Sequence, residues 1–263
     1  MSVKDFKDYL MDGRSSTMMD DEFQIPKDMN DAEEQLQFQS WKQLVEGFMS
    51  STKPFSFDTI DNFDDHIAQS IPNYHTLTEA ICDLSTYFMT EDTQVIDLGC
   101  STGKLLERLP HRGKKIGIDI ADNLLPESHD ETLYLCKDLR AFNGFGKSSL
   151  ILSNFTLQFI PYEDRPNILS GIYESLVEGG AFIWAEKVRE ESGELEQVIN
   201  GAHYDFKRKA FSADEILNKE RDLRPIMRVN TSMRNQILAE NAGFTVGTMF
   251  WKFFNFEAWI YIK

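Results

Sequence analysis

The run Val95-Ile96-Asp97-Leu98-Gly99-Cys100-Ser101-Thr102-Gly103 constrains this chain more than any other stretch. A short apolar strand pattern runs straight into a glycine-containing turn, and a helix pattern begins at Lys104. Gly99 lets the backbone turn sharply and approach a ligand where a Cβ would obstruct it. Asp97, at the strand end, is placed to accept hydrogen bonds from a cationic amine or from loop amides. By itself such a turn fits a structural bend or nucleotide sites of several kinds.

The pattern recurs downstream. Residues 94–98, 115–119, 132–136, 149–154 and 181–186 read as buried strands, and 104–109, 163–176, 192–208, 213–221 and 232–241 as helices. Upstream, 63–70 and 76–88 suit helices broken by Ile71-Pro72-Asn73-Tyr74. Strands alternating with helices predict an α/β fold, a doubly wound, mostly parallel sheet. Two late strands, 244–254 and 258–263, predict an antiparallel C-terminal hairpin at one edge. In such a sheet the ligand sits beyond the carboxyl ends of the strands.

Those ends carry polar residues. Asp119 closes the second strand, about twenty residues after the first glycine, where an acid can accept both hydroxyls of a ribose. Asp138 follows the third strand, near the expected place of an adenine edge, with the Leu139 backbone beside it. Asn154 ends the fourth, facing the crevice. Apolar strands with polar ends in succession point to a nucleoside-type ligand.

Charge narrows the partners. Acidic residues outnumber basic ones 43 to 27, for a formal charge of −16. Such a surface repels phosphate backbones, so direct docking on nucleic acid is not expected, and the best candidate for a basic patch, Lys207-Arg208-Lys209, is short. No apolar run reaches the roughly 18–20 residues of a membrane span, and the first residues carry no secretory pattern. The expectation is a soluble, cytoplasmic protein without membrane contact. Cys82, Cys100 and Cys136 are widely spaced with no CxxC, which predicts reduced thiols and no metal site. Residues 1–50 are acidic and hold six of the ten Met. They read as a partly disordered extension with one amphipathic helix over 31–49, ahead of a catalytic domain over 51–263.

The loop DLGCSTG departs from the three-glycine dinucleotide pattern and resembles the first motif of the class I S-adenosylmethionine methyltransferases, a Rossmann-like fold. The order of motifs over 90–186 is similar to that family too. The resemblance implies that Asp119 binds the ribose, with Ile120 in the same pocket, and that Asp138 and Leu139 frame the adenine. Gly99, Cys100 and Ser101 would line the methionine part. A narrower resemblance starts at Asn154-Phe155-Thr156-Leu157-Gln158-Phe159. With Ala185-Glu186-Lys187, His203-Tyr204-Asp205-Phe206-Lys207-Arg208, Phe253-Phe254-Asn255-Phe256 and the segment from Phe57-Asp58 to Tyr74, it resembles the carboxy-S-adenosylmethionine synthases over about 54–263.

That family moves a carboxyl group from prephenate to the methyl carbon of S-adenosylmethionine, and the product serves tRNA wobble-uridine modification. The sulfonium acidifies the methyl group it carries, and decarboxylation of prephenate supplies carbon dioxide inside a closed site. The hydroxyl lost from prephenate could take the proton, so a strong protein base is not required. The resemblance implies a homodimer and contacts from Tyr74 and Asn154 to the methionyl and sulfonium region. His203 belongs to a recurring block without an assigned role.

Two departures stand out. Gapless alignment puts Glu220 where the family carries an arginine that grips the transferred carboxylate, which makes Arg221 or Arg224 the candidate replacement. The stretch between Asp119 and Asp138 is shorter than in the family by two to three helical turns, which predicts a crossover trimmed to a loop around Pro126. Two other readings remain open: a methyltransferase acting on a small molecule, which would explain Glu220, and a binding module that keeps the pocket without catalysis.

Overall fold

The structure is a computed structural model that describes residues 62–110, 113–141 and 146–263, all within the unit Phe55–Lys263. The expectations for residues 1–50 and for Phe57-Asp58 lie outside the described residues.

Strands β1 (Gln94–Leu98), β2 (Lys115–Asp119), β3 (Thr132–Cys136), β4 (Ser148–Asn154) and β5 (Leu176–Arg189) run parallel, and β7 (Val246–Phe253) and β8 (Phe256–Ile262) complete the sheet in the order β3-β2-β1-β4-β5-β8-β7. β8 runs antiparallel to β5, and β7 antiparallel to β8. The antiparallel edge hairpin read from the sequence is thus in place. β1 and β4 are buried almost throughout, as strands covered on both faces must be.

Alternation along these strands splits the core into two layers. Ile96, Leu98, Ile151, Phe182, Trp184 and Trp259 face one side. There they meet Ile168, Leu169 and Ile172 of helix α4 (Arg165–Ser175) and Ala239 of α7 (Ser232–Ala242). Val95, Leu150, Leu152 and Ile183 face the other side. They meet Leu77 and Ile81 of α2 (Tyr74–Ser85) and Leu106 of α3 (Lys104–Arg108). Helix α1 (Phe63–Ser70) precedes α2, and α5 (Gly193–Lys207) and α6 (Ala213–Leu223) follow β5. Side chains fix their starts: Ser192 caps α5, and Ser212 and Glu215 form a reciprocal capping box on α6.

Three details differ from the sequence reading. α2 starts at Tyr74 rather than 76. β5 begins at Leu176, where Ser148 pairs with Leu176 before a register shift across Gly179-Gly180. A two-residue strand, β6 (Asn230–Thr231), pairs with Val188-Arg189 and is too short to leave a periodic signal. The β2-to-β3 crossover holds a single 3-10 turn, Asp122–Leu124, as its length predicted, and Ile120 is left 67% exposed.

Candidate active site

A cavity of about 500 Å³ opens beyond the carboxyl ends of β1, β2 and β4. Tyr74, Asp97, Gly99, Cys100, Ser101, Asp119, Ile120, Asp138, Leu139, Asn154 and His203 all line it, so nearly every residue singled out from the sequence meets there. Arg221 does not.

One end of the cavity is acidic. Asp97 is 2% exposed, and its Oδ1 is buried without a hydrogen-bond partner among the described residues. Burial, reinforced by the charge of Asp119, pushes its pKa up to about 7. Loop amides therefore do not satisfy this carboxylate, and a cation would. Asp119 accepts the amide of Ser101 at 2.8 Å and that of Ala121 at 2.9 Å, which ties β2 to the glycine turn. A carboxylate offers about four acceptor positions, so capacity remains on both oxygens. Asp138 is held by Arg140, which donates through its side chain and its amide and keeps the carboxyl below its usual range. Burial pushes the Cys100 thiol up, so it stays protonated.

The glycine turn is shaped by the segment after β4. Gly99 has φ +77°, and a Cβ there would overlap the Thr156 side chain. Within the same motif Phe155 takes φ +60°, a costly conformation for an aromatic residue. Its ring packs edge-on against Phe256 at 5.7 Å and near Tyr74 at 6.5 Å. Tyr74 and Asn154 are hydrogen-bonded, and burial together with Asp97 holds the Tyr74 phenol above its usual range. The Oδ1 of Asn154 and the Oγ of Ser101 are buried without partners among the described residues.

The other end is basic. Lys187 at the end of β5, Lys207 at the end of α5, Lys219 on α6 and Arg228 all line it. Burial lowers the pKa of each lysine, that of Lys219 to about 8, with Lys207 lowering it further. His203 places Nε2 2.9 Å from the Ser70 carbonyl, which can only accept. Nε2 therefore carries the proton, and Nδ1 is a buried acceptor without a partner among the described residues. Burial drives this imidazole down to about 4 despite the Ser70 bond, with Lys187 and Lys207 adding to the effect.

The sequence expectation for the carboxylate grip needs correction. Arg221 is exposed and donates to Asn218 at 3.4 Å, on the far side of α6 from the cavity. Arg224 is exposed and lies outside the lining as well. Glu220 accepts the Tyr204 hydroxyl at 2.7 Å.

A support layer went unread in the sequence. Arg165, with no exposed surface, donates to the carbonyls of Ile160 at 2.9 Å, Gln158 at 3.3 Å and Arg228 at 2.5 Å. Glu186, also buried, accepts the Gln158 amide at 3.1 Å, and Gln158 Oε1 accepts the Lys187 amide at 2.8 Å. Burial pushes Glu186 up to about 7, Arg165 opposing the shift. Gln158 and Glu186 stand inside the runs 154–159 and Ala185-Glu186-Lys187, while no sequence motif marks Arg165.

Among the described residues no group of His, Cys, Asp and Glu could hold a metal, and no helix is long and apolar enough to cross a membrane.

Residues 96–184 match a family model described as a methyltransferase domain. The chain is 33% identical over 226 residues to the carboxy-S-adenosyl-L-methionine synthase of Actinobacillus succinogenes, covering 80% of this chain and 93% of that protein. It is 31% identical to the enzyme of the same name from Staphylococcus epidermidis, covering 79% and 95%. A solved structure from Nostoc punctiforme, a candidate O-methyltransferase, superposes with a TM-score of 0.50 over 72% of this chain and 56% of that one, at 13% identity, and so shares the fold.

Proposed function

The chain belongs to the carboxy-S-adenosyl-L-methionine synthase family and is a transferase that works with S-adenosylmethionine; from that premise we propose that it moves a carboxyl group from prephenate to the methyl carbon of S-adenosylmethionine. The observation that carries this reading is the division of charge along the cavity lining, Asp97 and Asp119 on one side, where Asp138 is already paired with Arg140, against Lys187, Lys207, Lys219 and Arg228 on the other. One end suits a ligand with an amine, a sulfonium and a ribose, and the other suits a dicarboxylate.

The oxygens of Asp97, Ser101 and Asn154 that are buried without partners among the described residues fit S-adenosylmethionine, whose sulfonium acidifies the methyl group beside it. Asp97 would take the amine and Asp119 the ribose, while Ile120 and Leu139 flank the base. Tyr74, kept protonated by its surroundings, would donate to the methionyl side beside Asn154. His203 is neutral at physiological pH and offers an acceptor, not a strong base. This suits a reaction in which the departing hydroxyl of prephenate takes the proton. The protein's share is then orientation and exclusion of water.

Incubation with S-adenosylmethionine and prephenate, followed by mass spectrometry, should yield cofactor heavier by one carboxyl group, with phenylpyruvate as co-product. Absence of both under saturating conditions would reject the reading, and prephenate-independent loss of the methyl group to an acceptor would identify a methyltransferase instead. The same reading carries a homodimer, for which light scattering should return twice the 30.4 kDa chain mass. It also carries a cytoplasmic role upstream of tRNA wobble-uridine modification.

A further inference from the structure

The proposed reaction needs a grip on carboxylate, and the position expected to supply it holds Glu220. Glu220 is committed to the Tyr204 hydroxyl. The arginines next along the helix are exposed and outside the cavity. We propose that Lys207, at the end of α5, and Lys219, within α6, form the subsite that grips the carboxylates of the donor. This rests on the carboxyl-transfer reading for the identity of the donor.

Three observations converge. The two lysines come from different helices to one end of one cavity, beside Lys187 and Arg228. Lys207 is only 8% exposed, and no carboxylate of a described residue lies within salt-bridge distance of it. Among the described residues Glu220 is the one carboxylate whose field favours its charge, from beyond contact distance, and a buried ammonium with no carboxylate in contact is costly unless a ligand supplies one. Finally, the chain carries a formal charge of −16, so bases gathered in its cavity run against its average surface. Burial lowers the affinity of both lysines for their protons, Glu220 opposing this at Lys207 and Asp222 at Lys219, while the charge of Lys207 lowers Lys219 further; a bound dianion would raise both again. α6 explains how the neighbours divide. At about 100° per residue, Lys219 and Leu223 share the cavity face with buried Ile216, while Arg221 points the opposite way.

The test is calorimetric titration of prephenate into the full-length protein saturated with S-adenosylhomocysteine, which lacks the reacting methyl group. Lys207→Met and Lys219→Met should each weaken prephenate by about tenfold or more. Lys219→Arg should recover most of the loss, and the exposed Lys209→Met should leave affinity within about twofold of wild type. Both Met variants should stay folded, because removing a buried charge relieves desolvation, and a thermal melt checks this. Unchanged prephenate affinity in both Met variants overturns the proposal. So does a loss confined to S-adenosylmethionine, which would assign the lysines to the methionine carboxylate. Wild-type protein that binds prephenate through these lysines yet forms no carboxylated product upholds the subsite and rejects only the reaction.

Discussion

Asp97 is a carboxylate kept from water with one oxygen unpaired among the described residues, and that makes its ligand binding pH-dependent. In the ligand-free protein its pKa is raised to about 7, so near pH 6 most of the population is protonated. Pairing with an amine cation needs the ionised form. Affinity for S-adenosylmethionine should therefore rise between pH 5.5 and 7.5, with proton release visible as a buffer dependence of the binding enthalpy. Asp97→Asn should flatten that profile and cost roughly 10- to 100-fold in affinity, the scale of a hydrogen bond to a charged group. Gly99→Ala should weaken the cofactor more severely, because φ +77° and the Thr156 side chain both oppose a methyl group, and equilibrium dialysis would show it. These two residues were legible because a glycine turn after a buried strand has few other uses. Lys207 and Lys219 were not, since a lysine on an amphipathic helix reads as solvated until tertiary structure says which face is covered.

Elements fail differently. Arg165, in the first turn of α4, holds three carbonyls belonging to the loop after β4 and the segment before β6. Its removal strips the counter-charge from buried Glu186 and orphans those carbonyls. Arg165→Ala should cost about 3–5 kcal/mol in a denaturant titration, the range for breaking a buried charged network. Hydrogen exchange should show the loss concentrated over 156–162 and 226–231. The strands and helices were legible from their periods, and the trimmed β2–β3 crossover from its length. β6 was not, because two residues carry no period, and Arg165 was hidden by a helix start that reads as polar and exposed.

Over the whole molecule, buried acids set the response to pH. Asp97 and Glu186 are both raised to about 7, above the roughly 4 of an unfolded carboxyl. A raised pKa means the folded state holds its protons more tightly. The stability these groups contribute is complete below about 4 and is lost as pH climbs through 7. The chain's net negative charge pushes the same way. The melting temperature of the ligand-free protein should fall from pH 6 to pH 8, by about 2–4 °C for each kcal/mol involved. S-adenosylmethionine should shrink the fall by giving Asp97 a partner. The mostly parallel sheet and its antiparallel edge hairpin were legible from the alternation of strand and helix patterns, whereas the gathering of bases at one end of the cavity depends on helix packing that no local pattern encodes.

Gly99 and Thr156 lie 57 positions apart, yet the missing Cβ of one is the room for the other. Recombination between relatives is thereby constrained. A chimera whose junction falls between α3 and β4 inherits the cofactor turn from one parent and its opposing wall from the other. Such junctions should yield functional progeny only when both parents leave the same gap at these two positions. Junctions placed after the 3-10 turn Leu157–Phe159 keep the two together and escape this constraint.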